Sequence, residues 1–199
     1  MTNIVFRRAS AADYPAIVLL HRENLYTNLS DQEQKDGFLS LDISEQQLSE
    51  ANEDLAVIVA IQEQSVVGYV FGTTIDYNRQ FPLLKYMISL YEETKFQGRL
   101  LSNYRSFLYG PVCVAFTHRG TGLVQGLFQE LLTQVAGRYE AGTAFVSKNN
   151  PRSLRAHIQK LGMEVLRDFE FKGKEYNMLG FKSAIPQKAA DDLSRDWAR

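Results

Sequence analysis

A chain of 199 residues, 45% hydrophobic and 23% charged, is long enough to bury its own core and short enough that one domain is the expectation. A formal net charge of −1 gives no broad basic field for neutralising phosphates, which argues against a nucleic-acid partner. The single cysteine, Cys113, excludes an internal disulfide, and His21, His118 and His157 lie too far apart for Cys/His zinc spacing, so no metal is expected.

The opening MTNIVFRRAS lacks the apolar stretch of a secretion signal, and no run approaches the roughly 20 apolar residues needed to span a bilayer. A soluble, cytoplasmic protein without a membrane partner is expected. Residues 3–9 predict a strand, followed by a capping pattern at Ser10 and Asp13 and a helix through Tyr14, Ile17, Val18, His21 and Leu25. Residues 29–51 are polar with short apolar groups and predict one or two small helices. Residues 55–61 and 65–74 are β-branched apolar runs separated by Gln62, Glu63 and Gln64, which predicts an antiparallel hairpin. Residues 76–106 are less regular and read as an insertion, with an amphipathic helix over 81–93 through Leu84, Met87, Ile88 and Tyr91.

A strand over 108–115, a helix over 121–139, a strand over 144–147 and a helix over 151–160 come next, and strands over 163–171 and 175–181 close the pattern. The polar tail, 183–199, predicts a short helix through Ala190, Leu193 and Trp197. No fixed-period repeat interrupts this order, so residues 1–182 read as one mixed α/β domain with an insertion at about 76–106.

The chemistry concentrates in VCVAFTHRGTGLVQGLFQELL, residues 112–132. An apolar strand leads through Arg119, Gly120, Thr121 and Gly122 into a helix carrying Val124, Leu127, Phe128, Leu131, Leu132 and Val135. Glycines let backbone approach a ligand closely, and the unpaired amides at a helix N-terminus favour an anion; a tight connection alone would also use two glycines. The turn lacks the Gly-Lys-Ser/Thr ending of a triphosphate loop, and Gln125 stands where a dinucleotide fingerprint needs its third glycine.

Arg119-Gly120-Thr121-Gly122-Leu123-Val124 resembles the Arg/Gln-X-X-Gly-X-Gly/Ala turn of the GNAT superfamily of acetyl-CoA-dependent N-acetyltransferases, with Val124 where that family most often has Gly or Ala. The resemblance implies a central, twisted, mostly antiparallel sheet flanked by helices. It also implies that the backbone of Arg119, Gly120, Thr121, Gly122, Leu123 and Val124 holds the CoA pyrophosphate, while the edge formed by Val112, Cys113 and Val114 pairs with pantetheine. A second block, FVSKNNPRSLRAHIQKLGM, resembles the family's later order of strand, Asn-X-X-Ser/Ala, helix and Leu-Gly, with Asn150 and Ser153 matching and Leu161-Gly162-Met163 ending the helix. By spacing alone, Asn150 is equally a helix cap and Gly162 a helix stop.

His157 lies seven residues after Asn150, two helical turns on, where many family members carry a Tyr that protonates the departing thiolate. A structural or solvated histidine is the competing reading. The aromatic-rich insertion adds Tyr104 and Tyr109 as candidates near the pantetheine strand, and Tyr109 joins His157 as a candidate catalytic residue. Asp76, Glu92, Glu93 and Glu130 are carboxylates of the right type for a base, none marked by spacing. Cys113 reads as a small buried strand residue, His21 as a structural histidine and His118 as an exposed turn residue.

The resemblance therefore implies direct acetyl transfer from acetyl-CoA, as cosubstrate, to a primary amine of a small molecule or peptide; a homodimer is compatible with the chain. Two alternatives stand beside it: a noncatalytic acyl-CoA sensor or interaction module, and a transferase using another acyl group or acceptor.

Overall fold

The computed structural model describes residues 4–183, so the expected terminal helix beyond Ser183 lies outside the described residues. Strand β1 is Val5–Arg8. It is fastened to the start of the first helix by Asp13, whose carboxylate accepts from Ser10 N–H at 2.7 Å and from both terminal nitrogens of Arg7 at 2.8 Å. Helix α1, Tyr14–Glu23, starts with Pro15 in its first turn, where a missing N–H costs no helical bond. The polar stretch after it forms α2, Asp31–Gln34, and α3, Glu45–Asp54, each opened by a serine cap with a Glu or Gln reaching back three residues later.

Strands β2, Ala56–Gln62, and β3, Ser65–Thr74, form the expected hairpin, turned by Glu63 and Gln64 in left-handed conformation. The next stretch holds α4, Ile75–Asn78, then α5, Pro82–Ser89, prolonged by a single 3-10 turn, and a small hairpin of β4, Lys95–Phe96, and β5, Arg99–Leu100. Strand β6, Ser106–Val114, leads into helix α6, Leu123–Val135. Then come β7, Ala141–Ser147; α7, Pro151–Leu161; β8, Glu164–Phe171; and β9, Lys174–Lys182.

Seven strands make one sheet in the order β1-β2-β3-β6-β7-β9-β8. Every neighbouring pair is antiparallel except β6 and β7, which are parallel. This is the expected mixed architecture of a mostly antiparallel sheet between helices. On one face, α6 and α7 bury Leu127, Leu131, Val135 and Leu161 against Ile58, Val70, Phe107 and Leu179. On the other, α1 and α3 bury Ile17, Val18 and Leu48 against Val57, Val59, Tyr69 and Phe71. The segment between β3 and β6 covers the rest of that second face, packing Met87, Ile88, Tyr91 and Phe96 against Leu108, Met178 and Tyr176.

The contact of α6 with β1 hangs on Gly126. A Cβ there would lie 2.2 Å from the Phe6 ring. Gly126→Ala would add about 1 kcal/mol of helix propensity, but expelling the ring costs about 1–3 kcal/mol, so a net loss of stability is expected in urea unfolding. A stability gain would show that Phe6 moves aside freely.

On the other face, Tyr69 and His21 form a buried polar pair. The Tyr69 hydroxyl donates to His21 Nδ1 at 2.6 Å, and His21 Nε2–H donates to the Leu41 carbonyl at 2.6 Å. Burial lowers the pKa of His21, and burial likewise lowers that of His157 on α7. The unfolded chain therefore binds more protons than the folded one once pH drops below about 6.5. Stability is present in full above that value and falls as pH descends toward the folded-state values. Melting temperature followed against pH should decline in that window, and a flat profile would contradict both assignments.

Candidate functional site

The site begins where two strands part. Strands β6 and β7 are in register only at Ser106–Ala141, Phe107–Gly142 and Leu108–Thr143. Beyond Thr143, β7 stays paired with β9, whereas β6 stays with β3, so the sheet splays open from Leu108 and Thr143 onward. The splay is seated from below by Tyr91, whose hydroxyl is hydrogen-bonded to Thr143 Oγ1. A register shift between Val70 and Gly72 places a bulge in β6 at Gly110 and Pro111, next to the apex. Past it, Ala115 N–H donates to the Val67 carbonyl at 2.9 Å, toward β3. Alternation along a strand then turns the amides of Val112 and Val114 the other way, to the open edge.

The edge runs into the glycine turn. Gly120 and Gly122 have φ of 84° and 94°, and Gly122 caps α6 in left-handed conformation. A Cβ added at either would meet nothing within 4 Å, so backbone conformation rather than crowding selects glycine here. The consequence is a row of donors: none of the amides of Gly120, Thr121, Gly122, Leu123 and Val124 donates to an acceptor among the described residues. Free amides at the N-terminus of a helix of 13 residues make an anion cradle. Val124, set where the related motif favours a smaller residue, packs its side chain against the core of the α6 face and leaves its amide in the row.

The Arg119 side chain points away from the row. Its guanidinium donates to the Val114 carbonyl at 3.3 Å, the Asp36 carbonyl at 2.8 Å and Asn24 Oδ1 at 2.6 Å. Asp36 belongs to a short strap, residues 36–38, between α2 and α3. The far side of the strap is tied to α7: Arg152 pairs with the Asp36 carboxylate, and Asn150 Nδ2 donates to the Phe38 carbonyl at 3.1 Å. Asn150 Oδ1 accepts from Ser153 N–H at 3.1 Å and so caps α7. The strap is thus bonded both to the segment leaving β6 and to the segment leaving β7. Asn150 and the Ser153 amide, candidates for cofactor contact by sequence, spend these groups on the protein.

At the apex stand the two candidate catalytic residues. The rings of Tyr109 and His157 meet edge to face at 5.6 Å, with Phe128 and Phe181 completing the aromatic wall. His157 Nδ1–H donates to the Ser153 carbonyl at 2.7 Å, the only polarity a carbonyl permits. Burial holds the ring neutral, so Nε2 offers a lone pair and no proton. A proton-donor role for His157 does not follow from this geometry. Tyr109 is buried, and burial pushes its hydroxyl pKa upward.

The remaining candidates lie elsewhere. The Cys113 thiol is buried on the α1 face and pushed up to about 12 by burial, which leaves it a protonated packing group. The Tyr104 hydroxyl donates to the Phe96 carbonyl at 2.9 Å within the insertion. His118 Nε2 is bonded to Gln62 Oε1 at 2.6 Å. Asp76 pairs with Arg79, Glu93 with Arg167, Glu130 accepts from Gln134, and Glu92 is exposed; none of them lies in the aromatic wall at the apex. A pocket of about 280 Å³ opens on the α1 side of the turn, walled by Leu20, Glu23, Leu29, Glu33 and Phe116. Sequence inspection missed Asn24, Asp36, Phe38 and Arg152. Only the turn at Gly37, φ 97°, leaves a local trace of the strap.

The chain shares its overall fold, a mostly antiparallel seven-stranded sheet between helices, with solved acetyltransferase structures, one of them of the GNAT superfamily. The chain is similar in structure to a phosphinothricin acetyltransferase from Sinorhizobium meliloti in complex with acetyl-CoA. The TM-score is 0.61 at 17% identity over 92% of this chain and 90% of that one. It is likewise similar to yncA, a putative acetyltransferase from Salmonella typhimurium with acetyl-CoA. There the TM-score is 0.59 at 17% identity, over 93% and 96% of the two chains. The ribosomal-protein-S18-alanine N-acetyltransferase from Escherichia coli gives 0.59 at 10% identity, over 92% and 96%. No protein-family model matches the sequence, and no curated protein matches it. Among the described residues, no helix is long and apolar enough to cross a membrane.

Proposed function

We propose that this chain transfers the acetyl group of acetyl-CoA to a primary amine by direct attack in a ternary complex. The observation that carries the reading is the row of amides from Gly120 to Val124 that have no acceptor among the described residues, a few residues beyond the edge of β6 that leaves β7 after Leu108. The row suits the pyrophosphate, and the open-edge amides of Val112 and Val114 suit the polar groups of pantetheine or the thioester carbonyl oxygen. Structural neighbours of the same fold with acetyl-CoA bound support the cosubstrate. With pantetheine laid along β6, the sulfur end falls toward the bulge, Tyr109 and His157.

Among the described residues, no carboxylate stands in the aromatic wall at the apex to strip a proton from a lysine-like amine of pKa near 10.4. An acceptor with an α-amine-like pKa, about 7.7–8.0, therefore fits the site better. The acceptor is a small molecule or a peptide terminus in a cytoplasmic setting. The assay is release of CoA thiol from acetyl-CoA across a panel of amines, alongside direct binding of CoA. Turnover with any member supports transfer. CoA binding with silence across the panel favours a noncatalytic acyl-CoA sensor, and preference for a longer acyl-CoA reassigns the acyl group.

A further inference from the structure

The strap at 36–38 is tied on two sides, and the ties differ in kind. Gly37, at φ 97°, turns the chain so that the Asp36 carbonyl accepts from Arg119 and the Phe38 carbonyl from Asn150. On the β6 side the tie is many-stranded. Arg119 also holds the Val114 carbonyl and Asn24, and the residue after the strap is paired with the end of α1: Leu39 N–H donates to the Asn24 carbonyl and Tyr26 N–H to the Leu39 carbonyl, each at 2.8 Å. The rings of Tyr26 and Phe38 meet edge to face at 5.0 Å. The strap therefore moves with α1 and β6. On the α7 side, two side-chain links serve among the described residues: the Asn150 bond and the Asp36–Arg152 ion pair, whose side chains are 35% and 41% exposed. A pair so open to water is a weak one.

These bonds close a circuit. From the last β6–β7 pair at Leu108 and Thr143, it runs out along β6 to Arg119, through the strap to Asn150 and Arg152, and back along β7. The paired end is a hinge, and the Asp36–Arg152 seam is the weak link at the other end. We propose that the Asp36–Arg152 ion pair is a latch joining the two arms of the splay, released to admit CoA and re-formed once CoA is seated. The latch rests on the CoA binding proposed above: the β6 edge suited to pantetheine is one side of the circuit, and the turn suited to the pyrophosphate is joined to it through Arg119. A ligand spanning both enters and leaves past the seam. A latch closed in the free and the loaded protein alike slows both steps by one factor and leaves affinity unchanged, because each step waits on the open fraction.

Association and dissociation of CoA are followed by surface plasmon resonance on the full chain. Asp36→Asn and Arg152→Gln should each speed both steps by about two- to fivefold, with Kd changed by less than about twofold. The double variant should match the single ones, since the pair is already broken in each. The direction for Arg152→Gln is decisive. CoA is an anion, so loss of a cation slows its association if charge alone acts, whereas loss of Asp36 speeds it. A latch accelerates association in both, and in the double variant, whose net charge is unchanged. Opposite effects of the two substitutions on association, unchanged rates, or faster dissociation alone each overturn the latch and leave the CoA site standing. Arg22→Gln is the control, because it removes another exposed pair, Arg22–Asp42, outside the circuit. Equal acceleration in that variant also overturns the latch. Failure of the unsubstituted protein to bind CoA overturns the proposed function and the latch together.

Discussion

Gly122→Ala should weaken CoA binding by roughly 10- to 150-fold while leaving the chain folded. Gly122 sits at φ 94°, where an L-residue is strained by about 1–2 kcal/mol, yet a Cβ there meets no neighbouring atom. Relief of the strain comes from rotating the peptide units on either side, and those units carry the amides of the donor row. Each amide lost from a charged acceptor removes about 1.5–3 kcal/mol, which is the stated range in affinity. Gly98→Ala is the matched control, because Gly98 lies in the insertion hairpin at φ 83° with the same open space beside it. Both variants should lose similar stability, and only Gly122→Ala should lose CoA affinity in calorimetric titration. Equal affinities would mean that the anion is held elsewhere.

The donor row was legible in the sequence because everything it needs is contiguous: an apolar strand, two glycines and a periodic helix within about two dozen residues. The β2–β3 hairpin and the closing β8–β9 pair were legible for the same reason, since β-branched runs and a short polar turn are local signals. Boundaries slipped where tertiary contacts extend an element. Residues 141–143 of β7 are strand because Ala141, Gly142 and Thr143 pair with both β6 and β9, and Gly142 leaves room for the Phe181 ring, which a Cβ would meet at 2.1 Å. The helix expected over 121–139 is shorter at both ends, because Gly122 is its cap and Ala136 already leaves helical geometry.

Pairings made across long sequence separations left no such trace. Tyr91 reaches Thr143 from the insertion, and Arg152 reaches Asp36 from α7. The assignment of Asn150 shows how a motif match and a physical role differ: spacing marks the residue, but only the fold shows its amide split between capping α7 and holding the strap. His157 carries the same lesson, since the motif resemblance puts it at the proton-donor position while its Nδ1–H is committed to the Ser153 carbonyl.

The Arg119 side chain is where motif and geometry diverge most, and the divergence is measurable. A guanidinium acting as a phosphate charge would be replaced tolerably by lysine, with binding that weakens steeply in salt. Arg119 instead forks onto three neutral oxygens, from Val114, Asp36 and Asn24, joining the end of β6 to α1 and to the strap. One ammonium cannot reach all three. Arg119→Lys should therefore lose about 1–3 kcal/mol in the free protein, seen as a melting temperature lower by roughly 2–12 °C. CoA affinity should fall with it, because the same tie holds the turn that presents the amides, and the salt dependence of binding should stay nearly that of the unsubstituted protein. Arg119→Glu should be more damaging still, placing a carboxylate against three acceptor oxygens. An unchanged melting temperature with affinity lost would make Arg119 a direct phosphate ligand. The expected result makes it the link by which the glycine turn and the strap are held as one unit.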